Sequence, residues 1–342
     1  MIKESIKKVV ERLDLTREEA HSTMLSIMNG EATPAQIASF ITALRMKGET
    51  IDEITGCAFA MREKSVHIKV IRKTLVDTCG TGGDGGKTFN ISTASALVVA
   101  GCELTVAKHG NKAVSSECGS ADVLEALGVN IKIEPQKVEQ CINTIGIGFM
   151  FAPSFHSAMK HAVLPRKEIG IRTVFNILGP LTNPAGASAQ VVGVYDGDLT
   201  EKLCGVLNNL GVNHAFVVHG EDGLDEISIC ANTKISELKD SMINTYSFNP
   251  EDFGIKKVLL SQINGGTPQQ NKEIIKSILD GKKGPHRNIV VLNAAFALVA
   301  GDAAKDIKNG IKLAEESIDS GNAKRKLDEI VKFSNEIALN DD

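Results

Sequence analysis

The chain has 342 residues, 42% of them hydrophobic and 23% charged, with a formal net charge of −4. That length suits one large domain plus a smaller one, and the composition is that of an ordinary globular protein. The acidic balance supplies no large basic field for duplex nucleic acid, and no run of about 18 or more apolar residues offers a membrane span.

The opening Met-Ile-Lys-Glu-Ser-Ile-Lys-Lys leads into an amphipathic pattern, not the continuous apolar stretch of a signal peptide, so no leader is expected. Ile2, Ile6, Val9, Val10 and Leu13 share one face at helical spacing. Three helix starts follow, each a threonine with Glu or Gln three places on: Thr16 with Glu19, Thr33 with Gln36, and Thr50 with Glu53. Each pair reads as a capping box, Pro34 takes the favoured first helical position, and Gly30 and Gly48 stand where helices would stop. Strand signals are absent here, so residues 1–70 are expected to form a small helical domain.

From about residue 70 apolar runs of strand length appear at 74–76, 104–107, 147–151, 190–195 and 215–219. Helix-length segments such as 121–127, 137–145 and 200–210 alternate with them, and residues 267–280, 287–300, 305–317 and 322–335 read as helices again. Alternation of this kind predicts an α/β domain over 71–342, with a mostly parallel central sheet flanked by helices. The seven cysteines (57, 79, 102, 118, 141, 204 and 230) are scattered and lack any C-x-x-C pair. They read as reduced thiols of a cytoplasmic protein, without a disulfide frame or a zinc site.

The first strand runs into Asp77-Thr78-Cys79-Gly80-Thr81-Gly82-Gly83-Asp84-Gly85-Gly86-Lys87-Thr88-Phe89-Asn90-Ile91-Ser92-Thr93. Five glycines within residues 80–86 let the backbone approach a bulky anion and turn its N–H groups inward. The helix beginning near Ser92 adds the positive end of its dipole, so a phosphate or pyrophosphate site is predicted. Gly80, Gly82 and Gly85 satisfy G-x-G-x-x-G, but the second strand ends in Lys108-His109 where a dinucleotide fold needs an acid. Gly86-Lys87-Thr88 imitates a P-loop whose leading glycine would be residue 81, and residue 81 is threonine. At the second strand end, Lys108-His109-Gly110-Asn111-Lys112-Ala113-Val114-Ser115-Ser116 supplies cations, an amide and hydroxyls, and Ser120 stands as the N-cap of the next helix. In an open α/β sheet this loop should face the glycine loop.

With these motifs the chain resembles the anthranilate phosphoribosyltransferase family, the class IV phosphoribosyltransferases. The resemblance spans nearly the whole chain. It includes Met46-Lys47-Gly48-Glu49-Thr50, the run from Arg166-Lys167-Glu168 to Leu181-Thr182-Asn183-Pro184, His219-Gly220, Asp225-Glu226 and Asn293-Ala294-Ala295. It implies transfer of the phosphoribosyl group of 5-phosphoribosyl 1-pyrophosphate (PRPP) to the amine of anthranilate, with Mg²⁺, on the way to tryptophan. Carried over by position, it implies that Gly80, Gly83, Asp84, Thr88, Asn90, Ile91, Ser92, Thr93, Lys108 and Ser120 contact PRPP. His109, Gly110, Asn111, Lys112, Ala113, Val114, Ser115 and Ser116 belong to the same shell. Arg166, Asn111 and Gly80 would hold anthranilate, and Ser92, Asp225 and Glu226 the magnesium. The family pattern also implies a helical domain joined by helices around 165–185, and a homodimer through that domain, for which Ile37, Phe40, Ile41 and Leu44 offer an apolar face. Departures from the pattern are Lys112, Ser157, Pro165 and Lys167.

The chemistry fits these residue types. Cleavage of the C1–O bond builds charge on the leaving pyrophosphate, which backbone N–H groups, Lys108 and Mg²⁺ can meet. The aniline nitrogen is neutral at pH 7, so neither a covalent nucleophile nor a general base is expected. Arg166 offers a planar fork for the substrate carboxylate. His109 and His156 lie in motif segments and read either as pocket-lining or as structural residues, whereas His21, His67, His161, His214 and His286 read as structural. Two rival readings are a pyrimidine nucleoside phosphorylase and a non-catalytic nucleic-acid binder. The R-K-E-I-G context of Arg166 and the acidic pair weigh against the first. The acidic charge and scarce aromatics (12 Phe, 2 Tyr, no Trp) weigh against the second.

Overall fold

The computed structural model describes residues 1–72, 74–82, 88–113 and 117–338. Four helices come first: α1 (Ile2–Val10), α2 (Arg17–Met28), α3 (Pro34–Lys47) and α4 (Ile51–Glu63). The starts of α2, α3 and α4 are fixed by the three predicted capping boxes, in which the threonine hydroxyl accepts the N–H of Glu19, Gln36 or Glu53 and that residue's side chain accepts the threonine N–H. Glu53 does more than cap. Its buried carboxylate also accepts the Leu15 N–H at 2.9 Å and pairs with Lys47 at 2.9 Å, tying α4 to the α1–α2 turn and the end of α3.

The rest alternates: β1 (Val76–Gly80), α5 (Ile91–Gly101), β2 (Val106–Gly110), α6 (Ser120–Leu127), α7 (Pro135–Ile145), β3 (Ile147–Phe151), α8 (Ala152–Phe155), α9 (Lys160–Ile169), α10 (Phe175–Leu178), β4 (Ala189–Gly193), α11 (Leu199–Asn209) and β5 (His214–Gly220). A hairpin, β6 (Thr233–Lys239) and β7 (Met242–Phe248), precedes α12 (Pro268–Leu279), α13 (Pro285–Ala300), α14 (Ile307–Asp319) and α15 (Asn322–Ala338). The described strands form one seven-stranded sheet in the order β3-β2-β1-β4-β5-β6-β7, parallel from β3 to β5 and antiparallel beyond. The chain thus has a helical N-terminal layer and a larger α/β part with a mostly parallel sheet, as expected.

Side-chain alternation decides what each sheet face meets. On β4 and β5, Val191, Phe216 and Val218 join the core built with α5, α12 and α13. Their neighbours Val192, Ala215 and Val217 join the opposite core, which contains α1–α4, α11 and residues 174–181. The half-buried Arg62 side chain of α4 pins the two parts together by donating to the Leu181 carbonyl at 2.8 Å and the Leu210 carbonyl at 3.2 Å.

Four expectations change. β1 and β2 run to residues 80 and 110, further than the apolar runs suggested, because the parallel ladders continue through the buried polar residues Asp77, Thr78, Lys108 and His109. The β6–β7 hairpin carried no signal in the sequence. Lysines and a glutamate interrupt β6, the mostly exposed β7 mixes polar and apolar residues, and the turn uses Asp240 (φ 51°) and Ser241 (φ 60°) in place of glycine. Ser120 is the first residue of α6 and not its N-cap, since Gly119 precedes the helix and the Asp122 carboxylate accepts the Gly119 N–H at 2.9 Å. Finally, Ile37, Phe40, Ile41 and Leu44 are at most 1% exposed, consumed by the chain's own core, so they form no dimer face.

Candidate active site

The sheet order reverses direction between β1 and β4, since β2 and β3 lie on one side of β1 and β4 and β5 on the other. Such a switch point opens a crevice at the carboxyl ends of the strands. The chain fills its floor with backbone. Thr81 donates its N–H to the Gly193 carbonyl at 2.8 Å, and its hydroxyl accepts the Tyr195 N–H at 3.1 Å. The loop after β5 then crosses over both strand ends. A Cβ on Gly193 would overlap the Asp225 carbonyl oxygen, and one on Gly80 would lie 2.6 Å from Asp225 Oδ2. Glycine is required at Gly193 because the Asp225 backbone passes directly above, and at Gly80 it leaves room for the Asp225 carboxylate.

That crossing loop delivers two carboxylates. Asp225 Oδ2 accepts the Gly82 N–H at 2.8 Å, and Glu226 Oε1 accepts the Ser92 N–H in the first turn of α5 at 3.1 Å. The next residue is clamped from below by α13. The buried Asn293 side chain accepts the Ile227 N–H at 3.0 Å and donates to the Ile227 carbonyl at 2.9 Å. Asn293 appeared in the sequence as part of a motif with no role. Only the fold shows it aiming the acidic pair.

From β2, the buried Lys108 ammonium donates to the Thr78 carbonyl at 2.5 Å and to Ser92 Oγ at 3.3 Å. It therefore bridges the first strand and the start of α5. Beneath it lies Asp77, fully buried, whose carboxylate accepts the His109 N–H at 3.3 Å and Asn183 Nδ2 at 2.8 Å. Burial raises the Asp77 carboxyl above its usual range, and the Lys108 charge opposes that rise. Asp77 and Asn183 drew no functional reading from the sequence, because an acid inside a strand and an asparagine before a proline are ordinary by themselves.

The remaining predicted residues fall into three groups. Thr88 bridges to Asn264, while Asn90 uses its amide to donate to the Cys118 carbonyl and accept from Asn271, each at 3.0 Å. Asn90 thus braces the ends of both loops. Ile91 and Thr93 are 1% exposed and turn their side chains inward, offering the crevice their backbone. Around β2, Gly110 ends the strand and Asn111 Oδ1 accepts the Lys112 N–H at 2.8 Å. Ala113 donates to Asp122, Lys112 reaches Glu125 at 2.6 Å, and Ser120 Oγ donates to the Asn111 carbonyl at 3.3 Å. Gly83, Asp84, Val114, Ser115 and Ser116 lie outside the described residues.

Arg166 sits in the last turn of α9, its guanidinium 5.0 Å from the centre of the Phe175 ring. Burial lowers its pKa from the ordinary arginine value, so it is a partly desolvated cation and not a surface one. Its helix leads through Gly170 (φ 62°) to Arg172, which lies 4.2 Å over the Tyr195 ring. His109 and His156 form a buried pair with ring centres 5.0 Å apart, and His109 Nδ1 pairs with the Gly179 carbonyl at 3.2 Å. Desolvation lowers His109 to about 3 and His156 to about 4, so both are neutral at pH 7.

The two carboxylates of the crossing loop and the Ser92 hydroxyl at the head of α5 are oxygen donors, a set that suits a hard cation that keeps waters of its own, such as Mg²⁺. Nearby backbone N–H groups and Lys108 suit phosphate.

Comparison with known proteins gives one answer along the whole chain. Residues 3–65 match the helical bundle domain of a glycosyl transferase family, and residues 72–324 match the a/b domain of that family. The anthranilate phosphoribosyltransferase of Geotalea uraniireducens is 54% identical, covering 98% of this chain and 100% of its own length. That of Acetivibrio thermocellus is 55% identical over 98% of this chain and 97% of its own. Among solved structures, anthranilate phosphoribosyltransferase from Thermus thermophilus superposes with a TM-score of 0.92 at 40% identity, covering 97% of this chain and 99% of the other. The Saccharomyces cerevisiae enzyme, solved in complex with PRPP and Mg, gives 0.90 at 30% identity over 98% of both chains.

Proposed function

The chain belongs to the anthranilate phosphoribosyltransferase family, and from that premise we infer that it is a magnesium-dependent transferase making N-(5-phosphoribosyl)anthranilate and pyrophosphate. The bond from ribose C1 to the pyrophosphate oxygen breaks, and a bond from C1 to the anthranilate nitrogen forms. The nitrogen then releases its proton to solvent. The product class is that of tryptophan biosynthesis.

The observation that carries this reading is the crossing loop, which sets Asp225 and Glu226 on the N–H groups of Gly82 and Ser92 at the switch point. We assign PRPP to the glycine loop, the α5 N-terminus and the loop after β2. Lys108 and the backbone N–H groups there meet the charge that develops on the leaving oxygens. Ser92, Asp225 and Glu226 would hold Mg²⁺, which when bound neutralises charge on the pyrophosphate. Arg166 and Asn111 orient anthranilate with the Gly80 backbone, the guanidinium forking onto its carboxylate. The neutral aniline lone pair needs position alone, and His109 and His156, both neutral at pH 7, add no charge of their own.

Mixing PRPP, Mg²⁺ and anthranilate and following the fall of anthranilate fluorescence tests the reading. Loss of signal only when all three are present is expected. Release of thymine from thymidine and phosphate in its place would move the chain to the nucleoside phosphorylases.

Three further assignments belong to this reading. The helical unit consists of residues 1–70 with the segment around 165–185, whose Val174, Phe175, Ile177, Leu178 and Leu181 share its core. The protein is a cytoplasmic homodimer paired through that unit. Exposed Val163 and Leu164 on α9, with Val10, Leu13 and Met46 near the ends of α1 and α3, supply the apolar surface that the buried α3 face does not. Among the described residues no helix is long and apolar enough to cross a membrane.

A further inference from the structure

Tyr195 occupies a place that the assignments above leave unused. It follows β4 at the switch point, and its backbone N–H holds the Thr81 hydroxyl at 3.1 Å, so it secures the first residue of the glycine loop. Its half-buried ring faces the other way and packs against the core shared by α1–α4 and residues 174–181. Burial raises its phenol above the ordinary range, and the charges of Arg45, Glu49 and Arg172 all reach it. One residue therefore has its backbone in the phosphate-binding floor and its side chain among the helices.

The ring is capped by Arg172, whose guanidinium lies 4.2 Å from its centre, close enough for a cation–π contact. Arg172 lies six residues beyond Arg166, and between them α9 ends at Gly170 in the left-handed conformation, where a side chain would meet open space. The arm that carries the acceptor's arginine thus turns once and comes to rest on Tyr195. Three short links lead from the acceptor side to the donor side: Arg166 to Arg172 through the backbone, Arg172 to the Tyr195 ring, and Tyr195 N–H to Thr81. Thr81 in turn is fixed to β4 through the Gly193 carbonyl at 2.8 Å, and Gly82 after it holds Asp225.

We propose that Tyr195 and Arg172 are positioning residues that couple the two substrate subsites, so that filling the glycine loop sets the acceptor arm and raises affinity for anthranilate. The proposal rests on the subsites assigned above. It adds that their communication runs through this one stack and not through the sheet. Coupling between sites is reciprocal and is commonly about 5-fold or more in affinity.

Magnesium pyrophosphate, the leaving group, fills the glycine loop without reacting, so coupling can be read at equilibrium. Anthranilate is titrated into the full-length protein by its fluorescence, with and without magnesium pyrophosphate. Wild type is expected to bind anthranilate about 5-fold more tightly in its presence. Tyr195→Ala and Arg172→Met should reduce that factor to below about 2-fold while each ligand still binds alone. Tyr195→Phe keeps the ring and should keep the coupling. A merely structural role would weaken both ligands together and leave the ratio intact. Circular dichroism identifies any variant that fails to fold, and the remaining one of the pair then decides. An undiminished ratio in the folded variants, or no coupling in wild type although both ligands bind, overturns the proposal. Failure of wild type to bind either ligand overturns the underlying subsite assignment instead, and the coupling with it.

Discussion

Asp225 and Glu226 are adjacent in sequence, yet their carboxylates go to two different backbones, one in the glycine loop and one at the head of α5. Replacing both as Asp225→Asn and Glu226→Gln keeps shape and removes charge. Turnover with saturating Mg²⁺ is expected to fall by at least about 100-fold, with unchanged circular dichroism. Undiminished turnover would remove the pair from the metal site. Arg166 is a different case, because it is half-buried with its guanidinium against the Phe175 ring. Arg166→Ala deletes a charged hydrogen-bond donor, a loss of about 1.5–3 kcal/mol, so the KM for anthranilate should rise about 10- to 100-fold. A rise confined to the KM for PRPP would reverse the assignment of the subsites. These residues were legible because their types name their chemistry. Asp77, Asn183 and Asn293 were not, since their importance lies in which distant backbone each one reaches.

At the scale of elements, local signals were reliable wherever the element was stabilised locally. All three threonine capping boxes form, because a cap needs only residues three apart. Strand ends were legible less well, because buried polar residues such as Lys108 interrupt an apolar run while the ladder continues through them. The β6–β7 hairpin was hidden for a related reason: as an edge pair with β7 mostly exposed, it needs few apolar residues. Asn293 joins two elements and can be tested as such. In Asn293→Ala the buried Ile227 N–H and carbonyl both lose a partner, and stability should fall by about 1–3 kcal/mol in urea unfolding. The Mg²⁺ concentration for half-maximal activity should rise as well, because the acidic pair loses its anchor. A stability loss with an unchanged magnesium requirement would confine Asn293 to the core.

The whole molecule responds to pH through groups buried between its parts. His109 and His156 have folded-state values lowered to about 3 and about 4 against an unfolded 6.5. Between those limits the unfolded chain binds protons that the folded chain refuses, so this contribution is complete above pH 6.5 and is lost as pH falls. Stability should decline below pH 6.5 by up to about 1.4 kcal/mol per pH unit for each histidine, and His109→Gln with His156→Gln should flatten that slope in urea unfolding. Assembly is the other property of this scale. If the exposed apolar residues of α9 join two copies, Val163→Asp with Leu164→Lys should give a monomer by sedimentation, and an unchanged dimer would place the interface elsewhere. By itself the sequence determined the fold class, the alternation of elements, the position of the glycine-rich loop and the residue types on which the proposed chemistry draws, because each depends on spacing along the chain or on side-chain character. Only the tertiary structure decided that the loop after β5 crosses the ends of β1 and β4, that Asn293 and Asp77 hold the crevice from beneath, and that the apolar face of α3 is already covered. Those are contacts between segments far apart in the chain, and burial and close approach belong to the folded arrangement and not to any local pattern.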